Sequence, residues 1–147
     1  MPRVQRQAGV TWEGNVARGR GTISAATGAF EALPYSLASR IERTEGKTSP
    51  EELLAAAHAA CFSMALSLGL SDAGHTPCPI NTAARVHLRV VGGAPAIQQI
   101  DLNTEADVPG LGPEEFQDHA EQAKTSCIIS RALGGVGQIN LSATLAS

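Results

Sequence analysis

The stretch TSPEELLAAAHAACFSMALSLGL, residues 48–70, limits what this chain can fold into more than any other. It opens with two carboxylates and then runs eighteen residues, from Leu53 to Leu70, without a formal charge. Ser49 is a good N-cap, Pro50 suits the first helical position, and Glu52 stands three residues after Ser49, which makes a capping box. The spacing predicts a helix from Pro50 through Leu70, ended by Asp72–Ala73–Gly74 and about 30 Å long. It is apolar nearly all round, so it is expected to be central and covered on several sides. Its length also suits a membrane span. However, it is half Ala, Ser and Gly and holds His58 and Cys61, which favours a buried helix of a soluble protein and no membrane association.

A chain of 147 residues is expected to form one domain, residues 1–147. Only 3% of the residues are aromatic against 43% apolar, so the core must be built from Ala, Val, Ile and Leu. Small side chains bury little area each, and a partner copy is expected to complete the burial, giving a homodimer. The net charge is −3 and there is no basic run, which argues against nucleic-acid binding. MPRVQRQAGVTWEG lacks the apolar core of a signal peptide. Cys61, Cys78 and Cys127 are an odd number at wide spacing. They match neither a secreted disulfide framework nor a metal-ligand spacing, and a reducing cytoplasm is the expected compartment.

The first third of the chain reads as strands: VQRQAGVTWEG, then NVARGRGTIS after a turn at Gly14, then FEALPYSLASRIE with Pro34 marking an edge or bend. Thr44 to Pro50 reads as a loop. Beyond the long helix, Ile80 to Val91 alternates as a half-buried strand, Gly92–Gly93 turns, and Ala96 to Val108 returns. PEEFQDHAEQAKTS, from Pro113, is a second helix with Phe116, Ala120 and Ala123 on its apolar face. Gly134, Gly135 and Gly137 break the chain before a last strand, Gln138 to Leu145. Three strands, helix, two strands, helix, strand is an α+β order with mainly antiparallel sheet.

Each candidate functional residue has a plain structural reading beside the chemical one. Cys61 is either a small core residue or a reactive thiol. About three turns into its helix, it is too deep for the helix dipole to activate it. A thiolate there needs a separate cation, for which Arg18, Arg20, Arg40 and Arg43 are the candidates. His58, at i−3, shares its face and reads as a satisfied core histidine. Cys127, among Ser126 and Ser130, is structural taken alone. With Cys61 it fits a peroxidatic and resolving pair, one thiol attacking an O–O bond and the other trapping the sulfenic acid. Glu51 caps the helix or clamps an arginine. It lies about 15 Å of rise and roughly 80° of rotation from Cys61, so it reaches the thiol only through that arginine. Cys78 reads as structural. Zinc held by Cys61, His58 and Cys127 lacks a fourth ligand and a known spacing, so no metal is expected. A non-enzymatic stress protein or small-ligand binder with buried cysteines is the competing reading.

WEGNVARGRGTIS, PYSLASRIE, GKTSPEELLAAAHAACFSMALSLGL and AKTSCIISRAL together resemble the OsmC branch of the OsmC/Ohr hydroperoxide-resistance family, over essentially Val10 to Leu145. The resemblance implies an α+β fold with antiparallel sheets and a central buried helix, intertwined as a homodimer with its active sites at the interface. It implies a thiol peroxidase of oxidative and osmotic stress defence, with Cys61 peroxidatic and Cys127 resolving. Glu51 would hold the arginine that stabilises the thiolate, Arg40 first and Arg18 second. His58, Leu54 and Met64 would line the site, with Leu54, Phe62 and Met64 as an apolar wall favouring organic hydroperoxides over hydrogen peroxide. No bound cofactor is implied; reduced lipoyl groups or other dithiols recycle the enzyme. The family pattern places proline after the resolving cysteine. Ile128 stands there instead, and is expected to let the helix continue through Cys127.

Overall fold

The structure is a computed structural model that describes residues 3–76 and 79–146. Cys78 lies outside the described residues. The chain divides into two compact units, Met1–Leu53 and Leu54–Ser147.

The first unit is a three-stranded antiparallel sheet of β1 (Ala8–Glu13), β2 (Arg20–Ala25) and β3 (Leu33–Tyr35), in that order. Trp12 pairs with Gly21, and Gly21 with Tyr35. The two rings meet across this glycine with centroids 5.5 Å apart. A side chain at Gly21 would strike both rings, which is why the position carries none. FEALPYSLASRIE is not one strand. It gives the short β3 and then a five-residue helix, α1 (Leu37–Ile41). Two serines cause the switch: Ser36 Oγ accepts from the Ser39 amide at 3.1 Å, and Ser39 Oγ accepts from the Ser36 amide at 2.9 Å. This reciprocal cap fixes the start of α1.

The long helix, α2 (Pro50–Asp72), forms where expected. Ser49 Oγ accepts from the Glu52 amide at 3.1 Å. The reciprocal half of the expected capping box is replaced, because the Glu52 carboxylate accepts from the Thr48 hydroxyl at 2.8 Å. Burial all round is not found within this chain. The fully buried residues His58, Phe62, Leu66 and Leu70 form a single stripe at four-residue spacing, whereas Met64 is 75% and Leu68 64% exposed.

In the second unit β4 (Ile80–Val91) and β5 (Ala94–Ala106) form an antiparallel hairpin. Gly92 and Gly93 make its two-residue turn with φ of 59° and 84°, the doubly positive φ of a type I′ hairpin. A bulge falls between His87 and Leu88. β6 (Gln138–Leu145) pairs with β5 in parallel, Ile100 beside Ile139 and Leu102 beside Leu141. It is the one parallel pairing among the described strands, which are otherwise antiparallel, and it arises because two helices intervene: α3 (Pro113–Ser126) and α4 (Ile128–Ala132). A crossover of that length returns the chain in the same direction. Phe116, Ala120 and Ala123 of α3 pack with Phe62, Leu66 and Leu70 of α2 and Leu102 and Ala106 of β5 in one core. Cys127 belongs to that core.

Candidate active site

Two local arrangements carry chemistry. The first lies in the Met1–Leu53 unit. Ser39 Oγ donates to the Thr48 carbonyl at 2.8 Å, and the Thr48 amide donates to the Pro34 carbonyl at 2.9 Å. These bonds fasten α1 to the segment entering α2 and bring Arg40 to Glu51. Arg40 Nε donates to both carboxylate oxygens, at 3.0 and 3.1 Å, and Nη2 donates to Oε2 at 2.8 Å. The Glu51 side chain is 12% exposed and that of Arg40 43%. The carboxylate is thus the held partner, and the guanidinium keeps an open side. The hydrogen bonds it donates to Glu51 raise the Arg40 pKa above its ordinary value, so its charge is permanent. Arg18 is elsewhere, exposed in the β1–β2 connection, where its amide donates to Asn15 Oδ1 at 2.8 Å.

The second arrangement lies in the Leu54–Ser147 unit. Cys61 projects from α2, half-buried, while Cys127 stands between α3 and α4 with 1% exposure; both are free thiols. They face each other closely enough for a thiol–sulfur interaction. Cys127 caps both flanking helices by its backbone, with φ −56° and ψ 125°. The helix therefore breaks at Cys127 even without proline, contrary to the expectation drawn from Ile128. Ile128 opens α4 and is 72% exposed. The surroundings of Cys127 are less polar than its neighbours Ser126 and Ser130 suggest, since it belongs to the buried core with Phe116 and Ala123.

The ionisation of the pair runs against a simple activated-Cys61 picture. Burial pushes the Cys61 thiol up; the Ile129 backbone draws it back, but the facing Cys127 adds to the rise, and the net shift is upward. Burial also pushes Cys127 up, but the Ser130 backbone N–H, the Cys61 thiol and the Ser130 hydroxyl outweigh it, and the net shift is downward. When the pair carries one negative charge, the two facing sulfurs share a single proton.

His58 is fully buried, and its Nε2 lies 2.7 Å from Ser130 Oγ. Burial lowers its pKa, so the ring is neutral. It belongs to the thiol pair's surroundings: His58 precedes Cys61 by three residues on α2, and Ser130 follows Cys127 by three on α4. The role of Ser130 was missed in reading the sequence. The matching three-residue spacings, His-x-x-Cys and Cys-x-x-Ser, were the signal that could have found it.

The expected apolar wall is not one surface. Phe62 turns into the core at 0% exposure, about 160° round α2 from Met64. Leu54 is half-buried and lies on the Cys61 face, seven residues earlier, with Met64 and Leu68 beyond it. Cys61 thus sits between the buried stripe and an exposed apolar one. A shallow depression of about 390 Å³ lies over the second sheet, lined in part by Arg85, Asp101, Asn140 and Ser142; no thiol lines it. Among the described residues no group of three His, Cys, Asp or Glu side chains is placed to hold a metal.

Comparison with known proteins points the same way. The profile of the OsmC-like protein family matches residues 43–142. Peroxiredoxin OsmC of Escherichia coli (strain K12) is 44% identical over 130 residues, covering 88% of this chain and 90% of that protein. An organic hydroperoxide resistance protein from Elizabethkingia anophelis, solved with thiocyanate bound, superposes with a TM-score of 0.71 at 25% identity, over 100% of this chain and 99% of that one. An OsmC-like protein of unknown function from Vibrio cholerae gives a TM-score of 0.77 at 14% identity, over 96% and 99% of the two chains, a likeness of fold alone. A family profile over most of the chain, together with a relative this similar over nearly its full length, means that the chain belongs to the OsmC family.

Proposed function

We propose that this protein is a two-cysteine thiol peroxidase that reduces organic hydroperoxides in preference to hydrogen peroxide. The observation that carries this reading is the facing pair of free thiols, Cys61 half-buried and Cys127 enclosed, set 66 residues apart in sequence. The 44% identity to a protein named a peroxiredoxin supports it.

Cys61 is the attacking residue, because a peroxide can reach it while Cys127 is sealed in the core. The pair's single proton moves to Cys127, leaving Cys61 as thiolate. Arg40, oriented by Glu51, favours that distribution and polarises the peroxide. The Cys61 sulfur attacks the distal peroxide oxygen, the O–O bond breaks, and the alkoxide leaves. The alkoxide takes the Cys127 proton and departs as the alcohol. Cys61 is now a sulfenic acid. The Cys127 thiolate attacks its sulfur, hydroxide leaves and is protonated to water, and a Cys61–Cys127 disulfide remains. An external dithiol, a reduced lipoyl group being one example, reduces the disulfide by exchange and is itself oxidised. The exposed apolar stripe of Met64 and Leu68 beside Cys61 is where an alkyl group gains most from burial. The working unit is a homodimer in a reducing cytoplasm, in defence against oxidative and osmotic stress.

The test is mass mapping under non-reducing conditions after one equivalent of an alkyl hydroperoxide. A Cys61–Cys127 bridge is expected. Both thiols remaining free, or Cys61→Ser protein that still reduces the peroxide with a dithiol, overturns the reading.

A further inference from the structure

Three hydroxyls join α2 to the second sheet, and the steps above assign them no part. Ser63 Oγ lies 2.8 Å from Thr82 Oγ1 of β4, which lies 3.0 Å from Thr104 Oγ1 of β5. Thr104 donates in turn to the Asn81 carbonyl at 3.3 Å. Thr82 and Thr104 face each other across the hairpin. Thr104 is fully buried, and Ser63 and Thr82 are half-buried. Ser63 Oγ is also 2.9 Å from the Ala59 carbonyl, four residues earlier, which a regular helix already pairs with the Ser63 amide. The run from Ser63 to Thr82, Thr104 and Asn81 uses each hydroxyl proton once. It ties the helix to both strands of the hairpin.

We propose that Ser63 and Thr82 are positioning residues for the thiol pair: their hydrogen bond fixes the roll of α2 on the second sheet and so keeps the Cys61 sulfur within bonding range of Cys127. This rests on the reading of Cys61 and Cys127 as a disulfide-forming pair. Two residues of helix place Ser63 about 200° round α2 from Cys61. The buried stripe of Phe62, Leu66 and Leu70 lies between them, so the two residues mark its opposite edges. On the Cys61 edge, His58 Nε2 meets Ser130 Oγ of α4 at 2.7 Å. The Ser63 edge meets β4.

The stripe itself sets the roll less sharply than the hydroxyls do. Apolar burial is non-directional, whereas a hydroxyl–hydroxyl bond holds only over a narrow range of distance and angle. The magnitude matters for the chemistry. With its side chains a helix has a radius of about 5–6 Å, so a roll of about 20° carries a sulfur about 2 Å. A disulfide needs its Cβ atoms about 3.5–4.5 Å apart. A displacement of that size decides whether the bond closes. Removing the cross-link strands no buried donor. In Ser63→Ala, Thr82 still has Thr104; in Thr82→Val, Ser63 still has the Ala59 carbonyl. Both variants are therefore expected to fold.

The experiment is a thiol–disulfide equilibrium of the full-length protein with glutathione. Oxidised glutathione takes two electrons and two protons from the pair, leaving the Cys61–Cys127 disulfide and two molecules of reduced glutathione. Acid quenching, alkylation and peptide mass mapping give the bridged fraction, and with it the effective concentration of one thiol at the other. Ser63→Ala and Thr82→Val are each expected to lower that concentration about tenfold, the scale of one net hydrogen bond. Thr82→Ser keeps the hydroxyl and is expected to stay within about twofold of the parent. The double variant Ser63→Ala/Thr82→Val should fall no further than either single one, because both remove the same bond. Ile100→Val, at a fully buried position of β5, lowers stability without touching the cross-link and should leave the equilibrium where it was. The parent's equilibrium in folded Ser63→Ala, additive losses in the double variant, or an equal loss in Ile100→Val overturns the proposal. No Cys61–Cys127 bridge in the parent overturns it together with the peroxidase reading. The expected shifts in a protein that reduces no peroxide overturn the peroxidase reading alone.

Discussion

Glu51 does two things with one carboxylate. It stands in the first turn of α2, where a negative charge complements the helix dipole, and it grips Arg40 through three hydrogen bonds. A lysine at position 40 keeps the charge but loses the fork that matches a carboxylate. Arg40→Lys is therefore expected to lower kcat/KM for an alkyl hydroperoxide about tenfold or more, on the usual scale of a charge-assisted hydrogen bond, with little change in urea midpoint. Equal activity in the two proteins would remove Arg40 from the mechanism. The residues alone left Arg18, Arg20, Arg40 and Arg43 open as partners of Glu51, and the family resemblance put Arg40 first. The bonds of Ser39 and Thr48 that deliver Arg40 were not visible, since a serine reads equally well in a strand, a turn or a cap. The direction of the thiol shifts was illegible for a related reason. It depends on how enclosed each sulfur is, and burial is a tertiary fact that spacing does not encode. His58 gives a further expectation at this scale. Its folded pKa lies below its unfolded value near 6.5. The stability it contributes is present above that pH and is lost as the pH falls toward the folded pKa. His58→Gln protein should therefore lose less stability than the parent between about pH 6.5 and 5, measured by urea unfolding.

On α2 the four-residue stripe separates what the helix holds together from what it exposes. Phe62 is completely enclosed, and Phe62→Ala is expected to cost about 3–5 kcal/mol in urea unfolding. The same truncation at Leu68, 64% exposed, should cost well under 1 kcal/mol within one chain. Equal losses would contradict the burial pattern. This asymmetry could not be read from a segment that is apolar on every side. Periodicity speaks only where polar and apolar residues alternate, as they do on α3, whose buried face was legible. In the second sheet, the Asp101 carboxylate accepts from Gln99 at 2.9 Å, Asn140 at 2.9 Å and His87 at 2.7 Å. These bonds, that of Gln99 foremost, hold it far below the usual carboxylate range. A depressed folded pKa means that the stabilisation is present above the unfolded pKa, about 3.9, and is lost only as pH falls through the lower folded value. NMR titration should find Asp101 still ionised at pH 3, where an ordinary aspartate is mostly protonated. The partners of Asp101 come from β5, β6 and β4 in turn, which ties the parallel strand β6 to the hairpin through side chains as well as backbone.

For the molecule as a whole, the exposed apolar residues of α2 are the surface that a second copy would cover, as the scarcity of large core side chains first suggested. Sedimentation equilibrium is expected to give a dimer, and Leu68→Arg to weaken it; a monomer at every concentration would refute this. The parallel return of β6 was not legible, since strand direction follows from the length and path of the α3–α4 crossover and no residue of β6 marks it. The same crossover carries Cys127 back to Cys61 across 66 residues of chain, and this separation has a thermal consequence. A bond closing a loop of that size restricts the unfolded chain by about 4 kcal/mol at room temperature. The protein should then melt at a higher temperature after a peroxide pulse than before it, and return to the lower one when a dithiol is added. Its melting point becomes a gauge of its oxidation state, readable in a calorimeter without following any substrate.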